Sequence, residues 1–300
     1  MDTPPDNRSD IRDFLASRRA KLSPEQVGLP AGSRRRVPGL RREEVAVLAG
    51  VSTEWYARLE KGNIGGVSDE VLDAVSRALH LSDEERAYLF DLARAARPRL
   101  RPPARRRDPA VEPALQWMLD SMTLSAAFLR NGRLDVVASN ALGRALHSPM
   151  FASPTTAEHV RPNFARYHFL DPGSRDFFVD WEAGAATTVA LLRAEAGREP
   201  SDRALRELVG ELSTMSPEFR RLWASHDIRI QHEGIKRMRH PVVGELELTY
   251  RSLALPTLPR AVFEVTVYTA EPGTPNDEGI KLLASWGATT HPEAARTSRD

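Results

Sequence analysis

The 300-residue sequence contains no cysteine, which excludes disulfide staples, thiolate nucleophiles and cysteine-ligated zinc. It has no apolar run near the roughly 20 residues that a bilayer-spanning helix needs, so no membrane partner is expected. The opening residues, MDTPPDNRSDIRDF, lack the apolar core of a secretory signal, and a cytoplasmic location is expected. Net charge is scarce too, at +1, and by itself names no partner. GxSxG and a phosphate-cradling glycine loop are both missing. His226, beside Asp227, with His232 and His240 forms the closest histidine group, but its spacing matches no metal motif, so structural or surface roles are expected. No catalytic residue, metal or cofactor is assigned.

What is present is organised in two parts. Residues 1–110 hold 21 Lys and Arg against 17 Asp and Glu, a balance of +4, and the remainder holds 21 against 24, or −3. This split either points the first part at a polyanion or is a chance division of a nearly neutral chain. Between the parts, RPRLRPPARRRDPAVEP has five prolines and six arginines, a composition that stops helices and suits a linker. The boundaries expected are a helical domain at 9–96, the linker at 97–113, a second domain at 114–287 and a disordered tail at 288–300.

Before the linker, apolar residues recur at helical spacing, from Ile11, Phe14 and Leu15 to Leu89, Phe90 and Leu92, and five short helices fit. Ser68 and Ser82 read as N-caps, the latter with Glu85 as a capping box. After the linker, SAAFLRNGRLDVVASN flanks Asn131-Gly132 with apolar arms, a hairpin signal. GELELTYRSLALP and RAVFEVTVYTAEP alternate like half-buried strands, with helical stretches between the strand groups. The fold class expected is multidomain: an all-α N-terminal domain followed by an α+β domain with an antiparallel sheet.

The stretch EEVAVLAGVSTEWYARLEKG is the most specific in the chain. Val45 and Leu48 read as the inner face of one helix, Gly50 supplies a positive φ for the turn, Ser52 caps a second helix, and Tyr56 and Leu59 bury that helix. In this pattern the chain resembles the helix-turn-helix regulators of the Xre/Cro/C1 repressor class. The resemblance implies a double-stranded DNA operator read in the major groove by Ser52, Thr53, Glu54 and Trp55, with Arg58 one turn further along. Trp55 can touch thymine methyls and sugars or can join the core; Glu54 can accept from cytosine or simply favour the helix N-terminus. Where the family often has glutamine, this chain has Arg42, better suited to phosphate than to adenine. Arg34, Arg35 and Arg36, in a long preceding loop, either neutralise phosphates or enter a minor groove, or form a solvated charge run.

In the second part, NFARYHFLDPGSRDFFVDWEAGAATTVALLRAEAG, MSPEFRRLW and KRMRHPVVGELELTY resemble the ligand-binding domain of MmyB-like transcription regulators. This implies a PAS-like fold and a small apolar, fatty-acyl-like ligand. Phe128, Phe164, Phe169, Trp181 and Trp223 are large residues that would line its pocket or form plain core, and Arg166 and His168 could meet a carboxylate or serve structure. The function expected is a sequence-specific, ligand-controlled transcription regulator, a homodimer reading two half-sites. The alternative is a protein-interaction or antitoxin-like module whose helix-turn-helix does not read DNA.

Overall fold

The computed structural model describes residues 7–30, 37, 39–96, 111–159, 161–228, 230–257 and 261–290. Arg34, Arg35 and Arg36, linker residues 97–110 and residues 291–300 lie outside these. The chain divides into two compact units, one of residues 1–106, 193–206 and 221–229, the other of residues 107–192, 207–220 and 230–300.

The helical part of the first unit runs α1 (Asn7–Lys21), α2 (Arg42–Ala49), α3 (Thr53–Glu60), α4 (Asp69–Ala78) and α5 (Asp83–Ala95). Ile11, Phe14, Leu15, Val45, Tyr56, Leu59, Leu72, Val75 and Leu89 are buried together as its core. On α2 the buried residues are Val45, Ala46 and Ala49, while Leu48 is 37% exposed and Val47 75%. Leu48 is therefore not the inner residue that its spacing suggested: residues 45 and 49, four apart, share the buried face, and alanine there lets neighbouring helices approach closely. Ser82 and Glu85 form the expected capping box, each accepting from the other's amide at 3.3 and 3.1 Å. Ser68 occupies its cap position without a side-chain hydrogen bond.

In the second unit, α6 (Pro113–Asp120) precedes β1 (Ala126–Arg130) and β2 (Val136–Ser139). A helical stretch follows: α7 (Ala141–Leu146), α8 (Ser148–Phe151), α9 (Pro154–His159), α10 (Phe164–Leu170), α11 (Gly173–Phe177), α12 (Trp181–Arg198), α13 (Arg203–Met215) and α14 (Pro217–Ala224), of which the last three are divided between the units, residues 193–206 and 221–224 counting with the first. The chain closes with β3 (Glu233–His240), β4 (Gly244–Thr257), β5 (Ala261–Thr269) and α15 (Pro275–Thr290). The last helix thus extends into the segment expected as a tail. The five strands form one antiparallel sheet in the order β2-β1-β5-β4-β3, the PAS-like α+β arrangement. Phe128, Tyr268, Leu246, Leu248 and Met238 face a core shared with α7 and α15. Ala127, Leu129, Phe263 and Val265 face the other way, against Leu119 of α6.

The hairpin expected at Asn131-Gly132 forms between β1 and β2, with a loop longer than two residues. The Asn131 side-chain oxygen accepts from the amides of Arg133 and Asp135, both at 3.0 Å, and the positive φ falls on Leu134, at 66°. An asparagine side chain that captures its own turn's amides favours this longer loop. Asn140 then ties hairpin to helix: its side-chain oxygen accepts from Gly143 N at 2.7 Å and Ala127 N at 3.0 Å, and its amide donates to the carbonyls of Met122 and Ser125 at 2.8 Å.

Candidate nucleic-acid interface and ligand cavity

The turn between α2 and α3 is set by local chemistry. Gly50 adopts φ 68°, its amide donates to Val47 O at 3.2 Å, and the Val51 amide reaches back to Ala46 O at 2.9 Å. That pair of bonds closes a Schellman motif, whose left-handed residue glycine occupies without steric cost. Ser52 Oγ accepts from the Trp55 amide at 3.1 Å and starts α3. Thr53, Glu54 and Arg58 are exposed, Trp55 is half-buried, and Tyr56 and Leu59 are buried. The first turn of α3 therefore offers one face to solvent while its opposite face is anchored.

A buried charge fixes the angle of these helices. Glu60, 1% exposed, accepts from Arg19 of α1 at 2.9 and 3.0 Å and from Arg42 of α2 at 3.0 Å. Burial by itself would raise this carboxyl, but the hydrogen bonds and charges of Arg19, then Arg42, outweigh it and hold the group below its ordinary value. One carboxylate thus joins α1, α2 and α3. Arg42, half of whose side chain remains exposed, spends part of its hydrogen-bonding capacity inside the fold.

The second unit contains a cavity of about 220 Å³. Its floor is the sheet: Phe128 and Arg130 from β1, Thr266 and Tyr268 from β5, Tyr250 and Ser252 from β4, and Lys236 from β3. Ala183, Gly184, Thr187, Thr188 and Leu191 of α12 line it from above, with Leu134 and Phe164 also in the wall. The wall is therefore mixed, with aromatic and aliphatic surface interrupted by hydroxyls and three charged residues.

Of the residues expected to hold a ligand, Phe128 and Phe164 line this cavity; Arg166, His168, Phe169, Trp181 and Trp223 are not in its wall. Arg166 instead grips Glu211 with Nε at 3.0 Å and Nη2 at 2.8 Å. His168, 4% exposed, is stacked on Phe178 and Trp181 and donates from Nε2 to the Trp181 carbonyl at 2.9 Å. Burial lowers its pKa to about 3, so it is neutral at pH 7. Phe169 packs edge-on against Phe219, and the Trp181 indole donates to Ser174 Oγ at 3.0 Å. Trp223 belongs to the first unit, beneath the Arg193 guanidinium at 4.2 Å. His240 is likewise structural: its Nε2 lies 3.0 Å from Ala145 O and 3.2 Å from Ser148 Oγ.

Lys236 was not anticipated. In EGIKRMRH, Met238 and His240 are buried and Arg237 and Arg239 exposed, which puts Lys236 on the inner face in phase with Met238. That two-residue phase was the available signal, hidden by the charged residues of an edge strand.

With a solvent-facing helix after the turn in one unit and a sheet-floored cavity in the other, the molecule has the two parts of a helix-turn-helix transcription regulator with a ligand-binding domain. A helix-turn-helix domain model matches residues 10–89, and the model of the MmyB-like transcription regulator ligand binding domain matches residues 111–283. The second match spans more than half of the chain, which belongs to the MmyB-like transcription regulators. It is a DNA-binding regulator, and both matched families are regulatory. No curated protein matches the sequence. Among the described residues, no helix is long and apolar enough to cross a membrane.

Proposed function

We propose that this regulator works in the cytoplasm as a homodimer on a two-fold operator, and that a small, largely apolar, fatty-acyl-like ligand in the cavity sets its operator affinity. The observation that carries the DNA half is the first turn of α3, exposed at Thr53 and Glu54 and braced from behind by Tyr56, Leu59 and Glu60. In this reading Ser52, Thr53, Glu54, Trp55 and Arg58 meet base edges and nearby phosphates, and Arg42, with Arg34, Arg35 and Arg36, meets the backbone. A dimer places two such helices in successive major grooves, about 34 Å apart. The ligand shifts operator affinity only by its difference in binding to the two arrangements of the dimer.

Footprinting of DNA upstream of the protein's own and adjacent genes tests this reading, and discrete, salt-sensitive protection is expected. No protection at low salt, where non-specific contacts are strongest, would overturn it in favour of a protein-interaction module. Alanine at Arg34, Arg35 and Arg36 together should weaken binding alike on all sequences and flatten its salt dependence, with an unchanged slope removing that loop from the interface.

A further inference from the structure

Three charged residues line the cavity, and two are already committed. Arg130 is paired with Glu264, and Asp180 accepts from Arg237 Nε at 2.9 Å and Nη2 at 2.6 Å. Lys236 is different: among the described residues its ammonium makes no hydrogen bond or ion pair, and it lies 4.8 Å from the centre of the Phe178 ring. A partly buried ammonium that no carboxylate grips directly bears a desolvation cost, and the cation–π contact and the charge of the Arg237-bound Asp180 offset only part of it.

Room for the ammonium is built into the helix above. Gly184 sits inside α12, where glycine costs about 1 kcal/mol relative to alanine. A Cβ there would lie 2.8 Å from His168 Cε1 and 3.1 Å from Lys236 Nζ. The missing methyl leaves space for a neutral imidazole on one side and for the lysine on the other.

The lining has a direction as well. Lys236 is on the edge strand β3, and Phe128 is on β1, three strand spacings away, which is about 14 Å across the sheet. Leu134 and Phe164, also in the wall, pack with Phe128 toward that far end: Phe164 lies 4.7 Å from Phe128, and the amide of Phe164 donates to Leu134 O at 3.1 Å. Lys236 thus lies at one end of the lining, and Phe128, Leu134 and Phe164 lie at the other, beside Arg130, whose charge Glu264 meets.

We infer that Lys236 receives the carboxylate of an amphipathic organic acid, whose apolar body lies across the strands against Phe128, Leu134 and Phe164. This rests on the reading of the cavity as the ligand site. It gives the ligand a charge, an orientation and a counter-ion. An acid supplies the negative charge that the ammonium lacks, and an uncharged molecule of the same shape does not, so the site discriminates by head group more than by chain.

Titration calorimetry of the full-length protein with octanoate and with octan-1-ol separates the two claims. Wild-type protein is expected to bind octanoate on the order of tenfold more tightly than the alcohol. In Lys236→Met, which keeps the length and apolar stem, the preference should disappear while octanol binding is retained, and that retained binding also reports an intact cavity. In Lys236→Arg the preference for the acid should survive. Equal affinities in wild-type protein, or an undiminished acid preference in Lys236→Met, would overturn the role of Lys236 and leave the cavity reading standing. Failure of both probes to bind wild-type protein would overturn both.

Discussion

Glu60, buried in one unit, and Lys236, half-buried in the other, are two charges treated in opposite ways. Glu60 is met by two guanidiniums from two other helices, with oxygens and N–H donors matched at 2.9 to 3.0 Å. Lys236 meets an aromatic face and a cavity, and Asp180, the carboxylate whose charge acts on it, is gripped by Arg237. A fully satisfied buried charge fixes geometry, which a reading helix requires. One that is met only in part leaves the lysine able to pair with an added charge. The pairing at Glu60 is complete without DNA, so its loss should appear as instability before it appears as altered recognition.

The largest expected effect tests the satisfied side. Glu60→Ala leaves Arg19 and Arg42 facing a void, and breaking a buried ion pair in this way costs about 3–5 kcal/mol. The lower end is expected here because Arg42 is half exposed and can turn to water. Urea unfolding should show the loss as a lower midpoint, and an unchanged midpoint would remove the clasp from the structural account. The pH dependence has a defined sign. The folded-state pKa of Glu60 is depressed, so its contribution is present in full above the unfolded value of about 4.3 and disappears as pH falls through the folded value.

A second uncompensated group, His147, gives the next effect. It is 1% exposed, both ring nitrogens lack a hydrogen-bond partner among the described residues, and Phe128, Phe164, Phe177 and Tyr268 surround it. Burial, with smaller contributions from Lys236 and His240, lowers its pKa to about 3. The unfolded chain takes up a proton near pH 6.5 that folded His147 refuses until about pH 3, so stability is full above that range and falls as the pH drops through it. At pH 5 this amounts to about 2 kcal/mol. His147→Leu should flatten the decline in urea midpoint between pH 6.5 and 4.5, and an unaltered slope would mean that the site is wetter than its aromatic surroundings imply.

The helix-turn-helix is legible in the sequence because its instructions are local: Gly50 and Ser52 punctuate EEVAVLAGVSTEWYARLEKG within one or two turns of the residues they act on. The spacing of Leu48 does not settle its place, because i and i+3 spacing cannot rank two neighbouring faces, whereas the contacts of α2 choose the face holding Val45 and Ala49. The cavity was less legible. Aromatics on α10 and α12 are equally good core and equally good lining, and the choice depends on where those helices meet the sheet. Lys236 was hidden further, since a strand reading GIKRMRH looks like solvent-facing charge until its register with β4, Lys236 opposite Leu248, is known. The adjacent aromatics Trp55 and Tyr56 separate the two kinds of information. Trp55→Ala should reduce the preference for operator over random DNA by about 1–2 kcal/mol with little change in folding, whereas Tyr56→Ala, which empties a fully buried site, should lower stability. Competition binding at fixed salt checks the first, and a large drop in melting temperature for Trp55→Ala would return that indole to the core.

The smallest expected effect is the sharpest contrast with Glu60. Replacing Lys236 by methionine removes a cation whose pKa is lowered by burial, against a weaker opposing influence of Asp180. The depressed value means that the folded state resists the proton, so wild-type stability gains as pH rises from the folded pKa toward the unfolded value near 10.4, and Lys236→Met should lack this gain. In the absence of ligand at pH 7, the variant's urea midpoint should equal or slightly exceed that of the wild type, because an apolar side chain of similar length keeps the packing and drops the desolvation cost. A clear loss of stability would show that Lys236 is already matched by a counter-charge in the unliganded protein, and the two charges would then belong to one structural class.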